Sequence, residues 1–167
     1  NDLDGTNAGR IRATIGGHDH YVDVLNDTFG LDVNEVRKRS LVVTVGQEEV
    51  RVLHPLSVMK SRLANIDSQG LRRNTPHAIY QAQLSIHCVA SFIERVTEQD
   101  VRAALSVSKS VFRYARGQRA RRVFAEHQLD AFAAVQPLHA LGAAFADECY
   151  PRWRTQVESR RPLPAEP

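Results

Sequence analysis

The chain has 167 residues, a formal net charge of +3, and 43% hydrophobic and 25% charged residues, the proportions of an ordinary globular protein of one domain or two small ones. This composition excludes a chain that is disordered throughout, and the longest uncharged apolar run is far below the roughly 18 residues that span a bilayer. Two cysteines, Cys88 and Cys149, lie far apart and lack zinc spacing, so they read as reduced thiols of a cytoplasmic protein rather than as a disulfide framework.

In chain order, Asn1–Gly9 is polar and reads as a loop. Arg10–Ile15 alternates as a half-buried strand does, Gly16-Gly17 is a two-residue hairpin turn, and His18–Leu25 is the return strand. Asn26–Asp32 is turn-rich, and Val33–Arg39 forms a short helix. A second hairpin follows: Leu41–Val45, a turn at Gly46-Gln47-Glu48-Glu49, and Val50–Leu53. These four strands are expected to form one antiparallel or mixed sheet.

From Pro55 the period changes from two to about 3.6. Leu56, Met59, Leu63 and Ile66 share one helix face, with Pro55 at the start. After the loop Asp67–Asn74, Thr75-Pro76 opens a helix to about Val96, with Ala78, Ala82, Ile86, Val89 and Ile93 on one stripe. Thr97 with Asp100 resembles a capping box and starts a helix to about Arg116. Gly117 ends it, Arg119–Leu129 forms another, and Pro137 starts a last helix that Pro151 interrupts at Tyr150. The tail 161–167 is rich in proline and is expected to be disordered.

Charge is uneven along the chain. Residues 1–100 hold 11 basic and 13 acidic groups, whereas 101–167 hold 11 basic and 6 acidic. Arg102, Lys109, Arg113 and Arg116 stand at helical spacing on one face, and Arg119, Arg121 and Arg122 extend it. Such a face binds phosphates without reading sequence, with Tyr114 placed to stack on a base. A solvated helix face with internal pairs such as Arg122–Glu126 is the plainer reading.

Other chemistries find little support. His18 and His20 share a strand face, but Asp23 falls on the opposite one, so the three do not converge on a metal. There is no Gly-x-Ser-x-Gly and no phosphate-binding glycine loop leading into a helix. The sequence begins at Asn1 rather than Met and shows no secretory leader, so a fragment or processed form is expected.

Two stretches resemble a known family. They are Tyr21-Val22-Asp23-Val24-Leu25 with Phe29-Gly30-Leu31-Asp32, and Val50 to Asn65 (Val-Arg-Val-Leu-His-Pro-Leu-Ser-Val-Met-Lys-Ser-Arg-Leu-Ala-Asn) with Gln81-Ala82-Gln83-Leu84-Ser85-Ile86. Over roughly residues 7–95 the chain resembles the C-terminal part of bacterial nucleotidyltransferase-like proteins of the DNA polymerase β superfamily, near the abortive-infection toxin type. The resemblance implies Mg2+ held by three carboxylates, because two metals stabilise the attacking and leaving oxygens of nucleotidyl transfer. It makes Asp23 the third carboxylate and places Lys60 or Arg62 on a nucleoside triphosphate, with Arg72 and Arg73 in reach of phosphates. The family's Gly-Ser turn is not found upstream. Asp2 and Asp4 form an Asp-x-Asp, but they stand too close to Asp23 in sequence to match the family's spacing well.

The expected architecture is therefore α+β: a partial nucleotidyltransferase-type sheet in residues 1–54, a helical bundle in 55–160, and the tail. The expected function is metal-dependent transfer of a nucleotide to an RNA or protein acceptor, or a degenerate or partial relative of such an enzyme, with no membrane partner. The rivals are a nucleic-acid-binding module that uses Arg102, Lys109, Arg113, Arg116, Arg119 and Arg122, and a helical interaction domain pairing through Ala133, Ala140 and Ala144.

Overall fold

The computed structural model describes residues 7–25, 29–67 and 75–161. It is mostly helical with a minor β component, an α+β composition. The first hairpin joins β1 (Asn7–Ile15) to β2 (His18–Leu25), antiparallel, with Ile15 opposite His18 and Arg10 opposite Asp23. Gly16 and Gly17 both take positive φ (59° and 82°), which glycine adopts without steric cost and a tight hairpin of this twist needs. β1 starts three residues before the expected strand, with a bulge between Asn7 and Gly9.

Asp32 caps α1 (Val33–Arg39), accepting from the Asn34 and Glu35 amides at 2.9 and 3.0 Å. β3 (Leu41–Val45) and β4 (Glu48–Val52) make the second hairpin. Its turn is only Gly46-Gln47, so Glu48 and Glu49 lie in the strand. The two hairpins are separate two-stranded sheets, not one four-stranded sheet. Each tight turn settles a local pairing, but nothing in the sequence pattern specifies pairing between hairpins, and α1 intervenes.

The helical body begins at α2 (Pro55–Ile66). Its cap is His54, whose Nδ1 accepts from the Leu56 amide at 3.1 Å, while Pro55 fills a position that needs no donor. Leu56, Met59, Leu63 and Ile66 are all completely buried, as their spacing requires. α3 (Pro76–Gln99) is capped by Thr75 and buries Ala82, Ile86, Val89 and Ile93 against α2 and α4.

α4 (Val101–Ala115) is capped by Asp100, whose carboxylate accepts from the amides of Arg102 and Ala103. Thr97 is not the cap. It sits in the last turn of α3, with its hydroxyl donating to the Ile93 carbonyl at 2.7 Å, so α3 runs further than its periodicity suggested. α5 (Gln118–His127) follows Gly117 and ends at Gln128, which adopts a left-handed conformation.

The last third departs most from expectation. No continuous helix starts at Pro137. The chain instead makes two short 3-10 turns, Ala131–Ala134 and His139–Leu141, then a π-helical turn Phe145–Cys149 that leads directly into α6 (Tyr150–Glu158). Pro151 lies in the first turn of α6 and does not end a helix. A proline here cannot donate to the carbonyl four residues back, and the turn before it widens to a Tyr150-to-Phe145 bond. Trp153 of α6 stacks on Phe112 of α4 with centroids 4.6 Å apart and closes the core. Arg161, assigned to the tail, is partly buried, pairs with Asp130 and lies over the Phe124 ring. Residues 162–167 lie outside the described ones.

Candidate phosphate-binding cleft

The end of α2 and the start of α3 enclose a cleft of about 220 Å3, lined by Arg62, Asn65, Thr75, His77, Ala78 and Gln81. α3 has 24 residues, and the flank of its first two turns forms one wall of this space, within the half of the helix where the backbone dipole is positive. Thr75 Oγ1 accepts from the Ala78 amide at 3.2 Å. Gln81 Nε2 and His77 Nε2 are 2.8 Å apart, which orients both side chains along the cleft wall. Arg62 is exposed and brings a guanidinium whose planar donor fork matches phosphate oxygens. The arrangement suits an anion.

The candidate residues separate clearly. Lys60 and Arg62 are two positions apart on a helix and so point about 200° apart. Lys60 Nζ reaches Glu35 Oε1 of α1 at 2.6 Å and is largely buried, whereas Arg62 faces the cleft. Arg72 and Arg73, in the chain between the two lining helices, lie outside the described residues, as do Asp2 and Asp4. Asp23 is in β2 opposite Arg10; its side chain is not among those described. Among the described residues no three His, Cys, Asp or Glu side chains gather closely enough to hold a metal ion. Asp19, next to the paired histidine positions, is held by Arg12 at 2.5 Å and by Thr14, and this arginine keeps its carboxyl below the usual range.

The basic face of α4 and α5 divides into two parts. Arg119 and Arg122 turn inward onto Asp67, which is 2% exposed; Arg122 binds it through Nε at 2.8 Å and Nη2 at 2.6 Å, Arg119 through Nε at 3.3 Å. Arg121 donates to the Arg160 carbonyl, and Arg116 lies over the Phe112 ring at 5.0 Å. Tyr114 does not present a free ring for stacking. It packs on the core with its hydroxyl buried, and burial pushes its pKa up. Arg102, Lys109 and Arg113 remain exposed. Ala133, Ala140 and Ala144 are exposed as well, but they fall on three different turns and make no helical stripe.

The Asp67 cluster was not foreseen. Its partners lie 52 and 55 residues away in sequence, so no local spacing signals it. No family model, curated protein or solved structure matches this chain.

Proposed function

We propose that the α2–α3 cleft binds the phosphates of a nucleotide, in a chain that acts as the trailing part of a nucleotidyltransferase-like protein. The observation that carries this reading is the convergence of Arg62 and the α3 N-terminus on one cleft. A guanidinium with its planar donor fork is complementary to a phosphate in charge and in hydrogen-bonding sense, and the N-terminal half of the α3 dipole beside it favours an anion. Asn65, His77 and Gln81 supply further polar groups. In this reading Asp23 adds a carboxylate toward Mg2+, the metal that the family resemblance implies, and the acceptor of the transferred nucleotide is RNA or protein. Lys60 serves the fold through Glu35 and does not touch the nucleotide.

Calorimetric titration of each nucleoside triphosphate, with and without magnesium, tests the reading in two stages. Arg62→Ala is expected to weaken binding about tenfold, the value of one charge-assisted contact. Asp23→Ala is expected to remove only the magnesium-dependent increment. Undiminished binding by Arg62→Ala would rule out the cleft. A normal magnesium response in Asp23→Ala would leave a phosphate site without the transferase assignment.

A further inference from the structure

Within α4 every charged side chain is basic. Val101–Ala115 contains Arg102, Lys109 and Arg113 and no acid. Arg102, Ser106, Lys109 and Arg113 stand at i, i+4, i+7 and i+11, which confines them to one narrow line along the helix. All four are exposed. Among the described residues none of the three cations makes an ion pair, in contrast to Arg119 and Arg122, which grip Asp67. The nearest acids in sequence, Glu98 and Asp100, lie before the helix, and Asp100 is occupied in capping it. The opposite face of α4, with Ala104, Ser108, Val111, Phe112 and Ala115, is buried, so the ridge is anchored on the hydrophobic core.

From these observations we propose that the exposed ridge of α4 binds the phosphate backbone of a nucleic acid without reading its sequence. The ridge runs through eleven residue steps, about 16 Å, long enough for its three cations to meet separate phosphates of one strand. The Ser106 hydroxyl adds a neutral donor between the cations. The alternative polyanion, an acidic membrane surface, fits less well. Helices that lie on membranes insert an apolar face beside their cations, and the apolar face of α4 is already used in the core. The proposal stands independently of the α2–α3 cleft, since it uses none of its residues.

The test is fluorescence anisotropy with a short labelled oligouridine and a short RNA duplex, over a salt series, on the full chain. Three phosphate contacts give a slope of log affinity against log salt of about −2 on the single strand and nearer −3 on the duplex. Replacing Arg102, Lys109 and Arg113 together by Gln should flatten that slope and lower low-salt affinity at least about tenfold, with an unchanged circular dichroism melt. Lys109→Gln alone should remove about one third of the slope. Failure of the wild-type chain to bind either RNA, or a folded triple variant that binds as well as wild type, would overturn the proposal. So would binding to phosphatidylserine vesicles in preference to RNA, with the same loss on substitution.

Discussion

At the residue scale, two titratable side chains hold their surroundings, one as a charge and one as a neutral acceptor. Asp67 is buried at the end of α2 and accepts three hydrogen bonds from Arg119 and Arg122 of α5. Removing one partner of a buried pair strands the other charge and costs about 3–5 kcal/mol. Arg119 keeps 38% of its side chain in water, so Asp67→Ala should cost about 2–3 kcal/mol by urea unfolding, below that range because solvent partly compensates the stranded arginines. Asp67→Asn, which keeps an acceptor, should cost less. His54 works in the opposite sense. Its ring lies edge-on against Phe92 and its Nδ1 must stay unprotonated to cap α2. Burial first, then Arg39 and Lys60, depress its pKa. The unfolded state therefore takes up a proton at higher pH than the folded state. The stabilisation is complete above the ordinary value of about 6.5 and is lost as pH falls from there through the folded pKa. His54→Asn caps without titrating. Unfolding measured from pH 7.5 to 5 should show a loss in wild type that is smaller in the variant, and parallel profiles would exclude His54 as the source.

At the scale of elements, the joint between the β-rich part and the helices rests on a close backbone approach. Gly30 has φ of +78°, and a Cβ placed there would lie 2.4 Å from the Cβ of Ala64, itself fully buried in α2. No side-chain rotation relieves a contact between two β-carbons. Gly30→Ala should therefore destabilise by at least about 2 kcal/mol, combining left-handed strain with displacement of the loop. A loss under about 0.5 kcal/mol, the scatter of ordinary surface changes, would show that the loop shifts freely off α2. This joint also marks the limit of what the sequence reveals. α2 and α3 were readable because a stripe such as Leu56, Met59, Leu63 and Ile66 is a local, periodic signal. Each hairpin was readable from its glycine turn. What was not readable depends on distant partners: the separation of the hairpins, the Gly30–Ala64 approach, and the capture of Arg119 and Arg122 by Asp67. Pro151 misled for a different reason, because a proline at the first turn of a helix and one that ends a helix look alike until the preceding turn is known. In the cleft, Arg62 and Lys60 were indistinguishable by residue type, and Glu35 of α1 decides between them.

At the scale of the whole molecule, the described hydrophobic core runs from Leu56 to Val157 and draws on every helix from α2 to α6. The β3–β4 hairpin leaves Val42, Val43, Val50 and Val52 between 37% and 50% exposed. The strands of β1–β2 pair with each other, and a lone two-stranded hairpin is at best marginally stable in water. The helical body should then fold without the first hairpin. A fragment beginning at Phe29, which keeps Gly30 on Ala64 and Glu35 on Lys60, should unfold cooperatively in urea with nearly the same midpoint and a slightly smaller slope. Broad, non-cooperative unfolding of this fragment would mean that the hairpin covers part of the core. The removed residues 1–28 contain two arginines and five aspartates, so the fragment is also more basic. At physiological ionic strength the Debye length is about 8 Å, and charges farther from α4 than this have little effect on it. RNA affinity of the fragment should consequently equal or modestly exceed that of the full chain, with the excess vanishing as salt is raised.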